Sequence, residues 1–167
     1  MLTVMIEYRA FFTTYMEITD ELTTSVSILP LYTTDTTLRG VPFETEALWD
    51  TGATVTGIKP SLWKRLKLCS LESDRIELAG INSKVTTELT LVNLLLTPAL
   101  GIEFCPIYVT DFPGDADMLI GMDIIGMGDF VVCNTDNKTS FSFAIPSFPD
   151  RINLADKAEA ANKKNKV

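Results

Sequence analysis

The sequence contains no histidine. Ser-His-Asp and Cys-His catalysis both need an imidazole base, and most catalytic zinc sites use imidazole ligands, so much of the usual catalytic repertoire is closed to this chain. Cysteine is scarce too. Cys69, Cys105 and Cys133 are odd in number, far apart, and form neither a CxxC pair nor a metal-ligand spacing. They read as buried free thiols in a reducing compartment, and neither a metal nor another cofactor is expected. Long apolar runs are also missing, since no stretch approaches the roughly 20 apolar residues that span a bilayer. The segment Met1 to Glu21 lacks a basic start followed by an unbroken apolar run, because Glu7, Arg9 and Thr13 interrupt it, so no secretory signal is expected. The expectation is a soluble, cytoplasmic protein with no membrane partner.

Positive charge is in short supply. Lys and Arg number 14 against 22 Asp and Glu, a net charge of −8. The segment Arg151 to Val167 carries five basic and two acidic residues, so the rest of the chain stands at −11. A body this acidic repels phosphate backbones, and no nucleic-acid partner is expected. The basic segment itself reads as a solvated tail. What is present is ordinary globular material. The 167 residues are 46% hydrophobic and 22% charged, enough for one domain with its own core.

Strand signals dominate. Leu22 to Leu31 alternates, with Thr24, Val26 and Ile28 on one face. Phe43, Thr45, Ala47 and Trp49 line one face of a second strand, with Glu44 and Glu46 opposite. Further strands are expected over Thr54–Ile58, Arg75–Leu78, Lys84–Leu96, Phe104–Thr110, Met118–Ile120, Phe130–Cys133 and Ser140–Ile145, the last with Phe141, Phe143 and Ile145 on one face. Pro60 opens a helix carrying Leu62, Trp63 and Leu66 at helical spacing. Asp123 is expected to cap a brief helix through Met127. Many short strands without an internal repeat indicate an all-β fold, closed or sandwich-like. Residues 1–21 read as an N-terminal extension, 22–148 as the folded domain, and 149–167 as a polar, basic and flexible tail.

One segment carries chemistry: Leu48-Trp49-Asp50-Thr51-Gly52-Ala53. A carboxylate at the end of an apolar strand sits at the edge of the core. Gly52 permits a tight turn and close approach of another backbone, and Thr51 can hydrogen-bond to a neighbouring loop and stiffen the turn. Alone, an Asp-x-Gly triplet is also what a plain turn looks like. Further on, Met118-Leu119-Ile120-Gly121 places large apolar residues before a glycine and a short helix.

With these two motifs, in this order and spacing, the sequence resembles the retropepsin-like aspartic proteases, the retroviral type with cellular and bacterial relatives. The resemblance spans roughly Leu22 to Ile145. It implies a closed, barrel-like fold with one or two short helices, in which the strand ending at Gly121 passes through the loop near Asp50. It also implies a homodimer, because the chain holds one Asp-Thr-Gly where pepsin-like enzymes hold two. Asp50 would be catalytic, supported by Thr51, Gly52, Ala53, Leu119, Ile120 and Gly121. The turn Gly80-Ile81-Asn82 would be the substrate-binding flap. The activity implied is aspartic endopeptidase hydrolysis of a peptide or protein substrate. The alternative is a silent dimeric module of the same fold that binds peptides without cutting them. An unrelated β-protein would instead hold Leu119–Gly121 far from Asp50. Three departures stand out: Trp49 is bulky for its position, and Thr54 and Met122 stand where many viral members have an aspartate and an arginine that pair with each other.

Overall fold

The computed structural model of the chain describes residues 7–71, 76–79 and 84–164. Its centre is a closed six-stranded barrel. The strands are β2 (Thr23–Pro30), β3 (Phe43–Trp49), β4 (Gly57–Ile58), β7 (Leu89–Thr97), β8 (Leu100–Val109) and β9 (Met118–Ile120), in the order β2-β3-β9-β4-β8-β7. Strands β5 (Ile76–Ala79) and β6 (Lys84–Thr87) pair antiparallel as a separate two-stranded sheet, and the Thr87 hydroxyl ties it to the barrel at the Val109 carbonyl. A three-stranded antiparallel sheet, β1 (Arg9–Thr14), β11 (Lys138–Ile145) and β10 (Asp129–Thr135), lies beside the barrel in the order β1-β11-β10. The all-β, closed expectation is borne out.

The alternation explains the barrel. Val26 and Ile28 of β2, and Thr45, Ala47 and Trp49 of β3, are buried, while Glu44 and Glu46 face solvent. The inward faces of β7 and β8 add Val92, Leu94, Leu96, Cys105 and Ile107 to the same core. β8 begins four residues before the expected Phe104. Val92 pairs with Cys105 and Leu94 with Ile102, so Asn93 alone faces both Glu103 and Phe104. That bulge puts two consecutive residues outside and hides the alternation, with Phe104 at φ 52° and its N–H bound to Asn93 Oδ1 at 3.0 Å.

Helix α1 (Pro60–Arg65) starts on its proline, as expected, and buries Leu62 and Trp63. Helix α2 spans Met122–Ile125, with Gly121 and not Asp123 at its N-cap position. A third helix, α3 (Leu154–Lys164), lies in the segment read as a tail and buries nothing. Among the described residues no helix is long and apolar enough to cross a membrane. Residues 9–14, read as part of an extension, pair with β11 along their whole length, from Arg9↔Ile145 to Thr14↔Ser140. Of the expected strand Thr54–Ile58 only Gly57 and Ile58 are in β4, since the preceding residues form the loop that crosses Gly121.

Aromatic side chains join sheet to barrel. Trp49, at the end of β3, lies 5.7 Å from Phe130, 5.6 Å from Phe141 and 5.1 Å from Phe143, and Phe11 packs on the same ring at 5.6 Å. Its indole N–H donates to Thr24 Oγ1 at 2.9 Å. The bulk of Trp49 therefore has a local cause: this side chain fills the joint between the two sheets. The thiols differ from the expectation of three buried ones. Cys105 is buried, Cys69 is half-buried and Cys133 is exposed on β10, whose last four residues, Val132 to Thr135, are all exposed. Burial, with a smaller contribution from the charge of Asp123, pushes the Cys105 thiol up to about 12.

Candidate active site

The residues after β3 form a tight loop over the end of β9. β3 and β9 run parallel, with Leu48 beside Leu119 and Trp49 beside Ile120, and the Asp50 N–H continues the ladder to the Ile120 carbonyl at 3.0 Å. β4 then lies antiparallel on the other side of β9, with Gly57 beside Leu119. The chain thus passes from one flank of β9 to the other, and the crossing brings Asp50 and Gly121 together. The two motifs, some 70 residues apart in sequence, are neighbours in space.

Glycine is required at both. A Cβ on Gly121 would lie 2.6 Å from both the carbonyl carbon and the oxygen of Val55, so the crossing backbone can pass only over a glycine. The Gly52 N–H donates to Asp50 Oδ1 at 2.7 Å, and a Cβ on Gly52 would crowd that same oxygen at 3.1 Å. The loop is tied down at its far end as well. The Ala53 carbonyl accepts from the Met122 N–H at 2.8 Å, and the Thr54 carbonyl accepts from the Asp123 N–H at 3.2 Å.

Asp50 is half-buried. One carboxylate oxygen takes the Gly52 N–H, and the other has no hydrogen-bond partner among the described residues. Asp50 and Thr51 line a cleft of about 370 Å³, whose apolar wall includes Leu22, Leu48, Phe130 and Val132. Thr51 is exposed, and its hydroxyl makes no hydrogen bond among the described residues of one chain; Ala53 is half-buried. Leu119, Ile120 and Gly121 are buried beneath the loop. Gly80, Ile81 and Asn82 lie outside the described residues. No group of three or more Cys, Asp or Glu side chains converges as a metal site among the described residues.

Sequence reasoning missed one pair. Thr56 is fully buried, and its Oγ1 donates to Asp123 Oδ1 at 2.7 Å while accepting the Gly121 N–H at 3.1 Å. The Thr56 N–H donates to Asp123 Oδ2 at 2.9 Å, and the Ile124 N–H reaches Oδ1 at the same distance. Asp123 is therefore a clamp on the crossing loop and not a helix cap. Only the crossing itself brings residues 56 and 123 together, so no local spacing could have signalled the pair.

The sequence matches the family model described as aspartyl protease over residues 34–124, more than half of the chain. The chain belongs to the aspartyl protease family. That agrees with the likeness to retropepsin-like aspartic proteases drawn from Asp50–Ala53 and Leu119–Gly121. Among solved structures this aspartyl protease chain is similar to a retropepsin-like aspartic protease from Rickettsia conorii, at 12% identity and a TM-score of 0.48, covering 83% of this chain and 96% of that one. It is also similar to the EIAV protease complexed with the inhibitor HBY-793, at 23% identity and a TM-score of 0.44, covering 64% of this chain and 86% of that one. No curated protein matches the sequence.

Proposed function

We propose that the chain is one subunit of a homodimeric aspartic endopeptidase and that Asp50 is its catalytic residue. The observation that carries this reading is Asp50 itself. It is a carboxylate lining an open cleft with both apolar and acidic walls, on a loop fixed from both sides, with one oxygen uncommitted among the described residues. One chain holds one Asp-Thr-Gly, so half of the acid-base pair comes from a second copy.

Two facing carboxylates do not both ionise easily and share one proton, as aspartic proteases are known to do. The ionised Asp50 takes a proton from a water held between the two. The neutral Asp50 donates a hydrogen bond to the scissile carbonyl oxygen. The water oxygen attacks the carbonyl carbon to give a tetrahedral diol, a proton passes to the amide nitrogen, and the C–N bond breaks. The rigid loop keeps the two carboxylates in position throughout. The substrate lies extended, adding its backbone as a strand beside the cleft. Gly52, Ala53, Leu119, Ile120 and Gly121 hold the loop, and Gly80, Ile81 and Asn82, outside the described residues, are proposed as substrate-binding.

The test is incubation of the purified protein, and of Asp50→Asn, with a mixed peptide library, with and without a statine-type inhibitor. Cleavage by the wild type that is blocked by the inhibitor and missing in the variant is the expected result. Full cleavage by Asp50→Asn would overturn the assignment. Peptide binding without cleavage by the wild type would favour the silent module instead.

A further inference from the structure

The cleft beside Asp50 has two kinds of wall. Leu22, Leu48, Phe130 and Val132 supply the apolar one, and Asp20 and Glu21 supply the other. The end of the β2–β3 ladder puts the acidic pair there. Thr23 sits opposite Leu48, and the Trp49 N–H extends the pairing to the Leu22 carbonyl at 2.8 Å. Glu21 and Asp50 therefore follow as neighbours, each one residue beyond that last contact. The Glu21 backbone is pinned as well, its N–H donating to Thr19 Oγ1 at 3.2 Å and its carbonyl accepting from the same hydroxyl at 3.0 Å. Asp20 and Glu21 are exposed, and their carboxylates make no hydrogen bond or ion pair among the described residues.

The neighbouring loop has the same sign. Glu21 Oε1 lies 3.8 Å from where a Cβ on Gly114 would stand, which places the carboxylate against the loop 111–117. That loop exposes Asp111 and Asp115, while its Asp117 pairs with Arg65 at 3.1 Å. The cation held there, Lys59, donates to the Gly114 carbonyl at 2.5 Å and lies 5.0 Å over the Phe112 ring. It forms no ion pair with Glu21 among the described residues. No lysine or arginine lines the cleft among those residues either.

An apolar trough that ends at unpaired carboxylates fits one kind of side chain, an aliphatic stem with a cationic head. An acidic side chain would be repelled there, and an apolar one would leave the carboxylates without a partner. We propose that the cleft receives a lysine or arginine side chain of the substrate close to the scissile bond, with its head at Glu21. The proposal rests on the protease reading above and adds the substrate class, a basic peptide. Asp50 keeps the chemistry, and Glu21 determines specificity. The acidic body of the chain draws such a peptide in from a distance.

Three peptides that differ only beside the cut test this. They carry lysine, norleucine or glutamate, placed in turn on either side, in the sequence that the wild type cuts best from the mixed library. Norleucine keeps the stem and removes the charge. The wild type is expected to favour lysine over norleucine in kcat/KM by about ten-fold, the low end for a hydrogen bond between charged groups, with glutamate last. Glu21→Gln should bring the lysine-to-norleucine ratio close to one, and Glu21→Lys should place glutamate ahead of lysine. The variant Asp20→Asn/Glu21→Gln removes any share that Asp20 holds. Equal rates on lysine and norleucine in the wild type, or a preference that survives the double variant, would overturn the pocket. Binding of the same peptides to Asp50→Asn, followed by fluorescence anisotropy, reads the pocket without cleavage and should give the same order. A wild type that cuts nothing while Asp50→Asn still prefers lysine would sink the protease reading and uphold the pocket. Cleavage without preference would do the reverse, so the two failures are distinguishable.

Discussion

Asp50 and Asp123 sit on opposite sides of one backbone crossing, and the protein treats them differently. Asp123 accepts from the Thr56 N–H, the Thr56 hydroxyl and the Ile124 N–H. Asp50 accepts from the Gly52 N–H. A carboxylate whose lone pairs are filled by buried donors is a structural tie, while one with an oxygen that has no partner among the described residues, lining a cleft, is available to a water or a substrate. The contrast separates the carboxylate that holds the loop from the carboxylate that the loop holds.

The largest expected effect breaks the comparison on the Asp50 side. Asp50→Asn is nearly isosteric and removes no buried hydrogen bond, so thermal unfolding should stay close to wild type. Cleavage should fall by about 10²–10⁴-fold, the usual contribution of an acid-base group. A drop in stability that matches the drop in activity would mean that Asp50, too, is a structural tie.

Gly121→Ala attacks the crossing. Its Cβ would meet the Val55 backbone at 2.6 Å, where there is no flexible side-chain end to yield. We expect a loss of about 1–3 kcal/mol in chemical denaturation, typical of overpacking, together with loss of activity, because Asp50 is on the displaced loop. Wild-type stability in this variant would show that the crossing is looser than the geometry implies.

Thr56→Val sharpens the Asp123 side. It keeps the shape and deletes the hydroxyl, leaving an Asp123 oxygen and the Gly121 N–H short of a partner. The cost should be about 1–3 kcal/mol, as for other buried groups left unsatisfied, while Thr56→Ser should stay near wild type. Equal stability of the Val and Ser variants would contradict the clamp.

The smallest effect lies at a third carboxylate, the half-buried Asp35, which is also tied down by local donors. Its Oδ1 accepts from the Thr37 N–H at 3.0 Å and the Thr37 hydroxyl at 2.6 Å, and its Oδ2 meets Lys67 Nζ at 3.0 Å. The Thr37 hydroxyl, then the Lys67 ammonium and the Thr37 N–H, hold its pKa down at about 2, below the ordinary aspartate value. A carboxylate lowered in the folded state contributes stability above its unfolded pKa and loses it as the pH falls through the folded value. The loss should therefore run from about pH 4 to about pH 2, and Asp35→Asn should flatten that part of the denaturation-midpoint profile. An unchanged slope in the variant would show that Asp35 does not contribute.

Much of this was legible in the sequence, and what was not has a common cause. The alternation of Phe43–Trp49 predicted both the buried face and the position of Asp50 at its end. Pro60 predicted the start of α1, and the polar turn after Thr135 is a two-residue hairpin loop, with Asp136 and Asn137 both at positive φ. The pairing of β1 with β11, the clamp between Thr56 and Asp123, and the docking of Trp49 against Phe130, Phe141 and Phe143 all join segments far apart in the chain. Local periodicity reports which face of an element is buried; it carries no record of which distant element covers it. The motif residues around Asp50 and Gly121 were readable because their neighbours in sequence fix their type. Their partners were not, because only the crossing brings them close.

The central claim is that both subunits must supply Asp50. Wild type and Asp50→Asn can be mixed at constant total protein, allowed to exchange subunits, and assayed on one peptide. If each site needs two Asp50 carboxylates, activity follows the square of the wild-type fraction, and an equal mixture retains about a quarter of it. Activity that falls in direct proportion to the wild-type fraction, leaving about half in an equal mixture, would mean that one chain completes the site alone and would contradict the account.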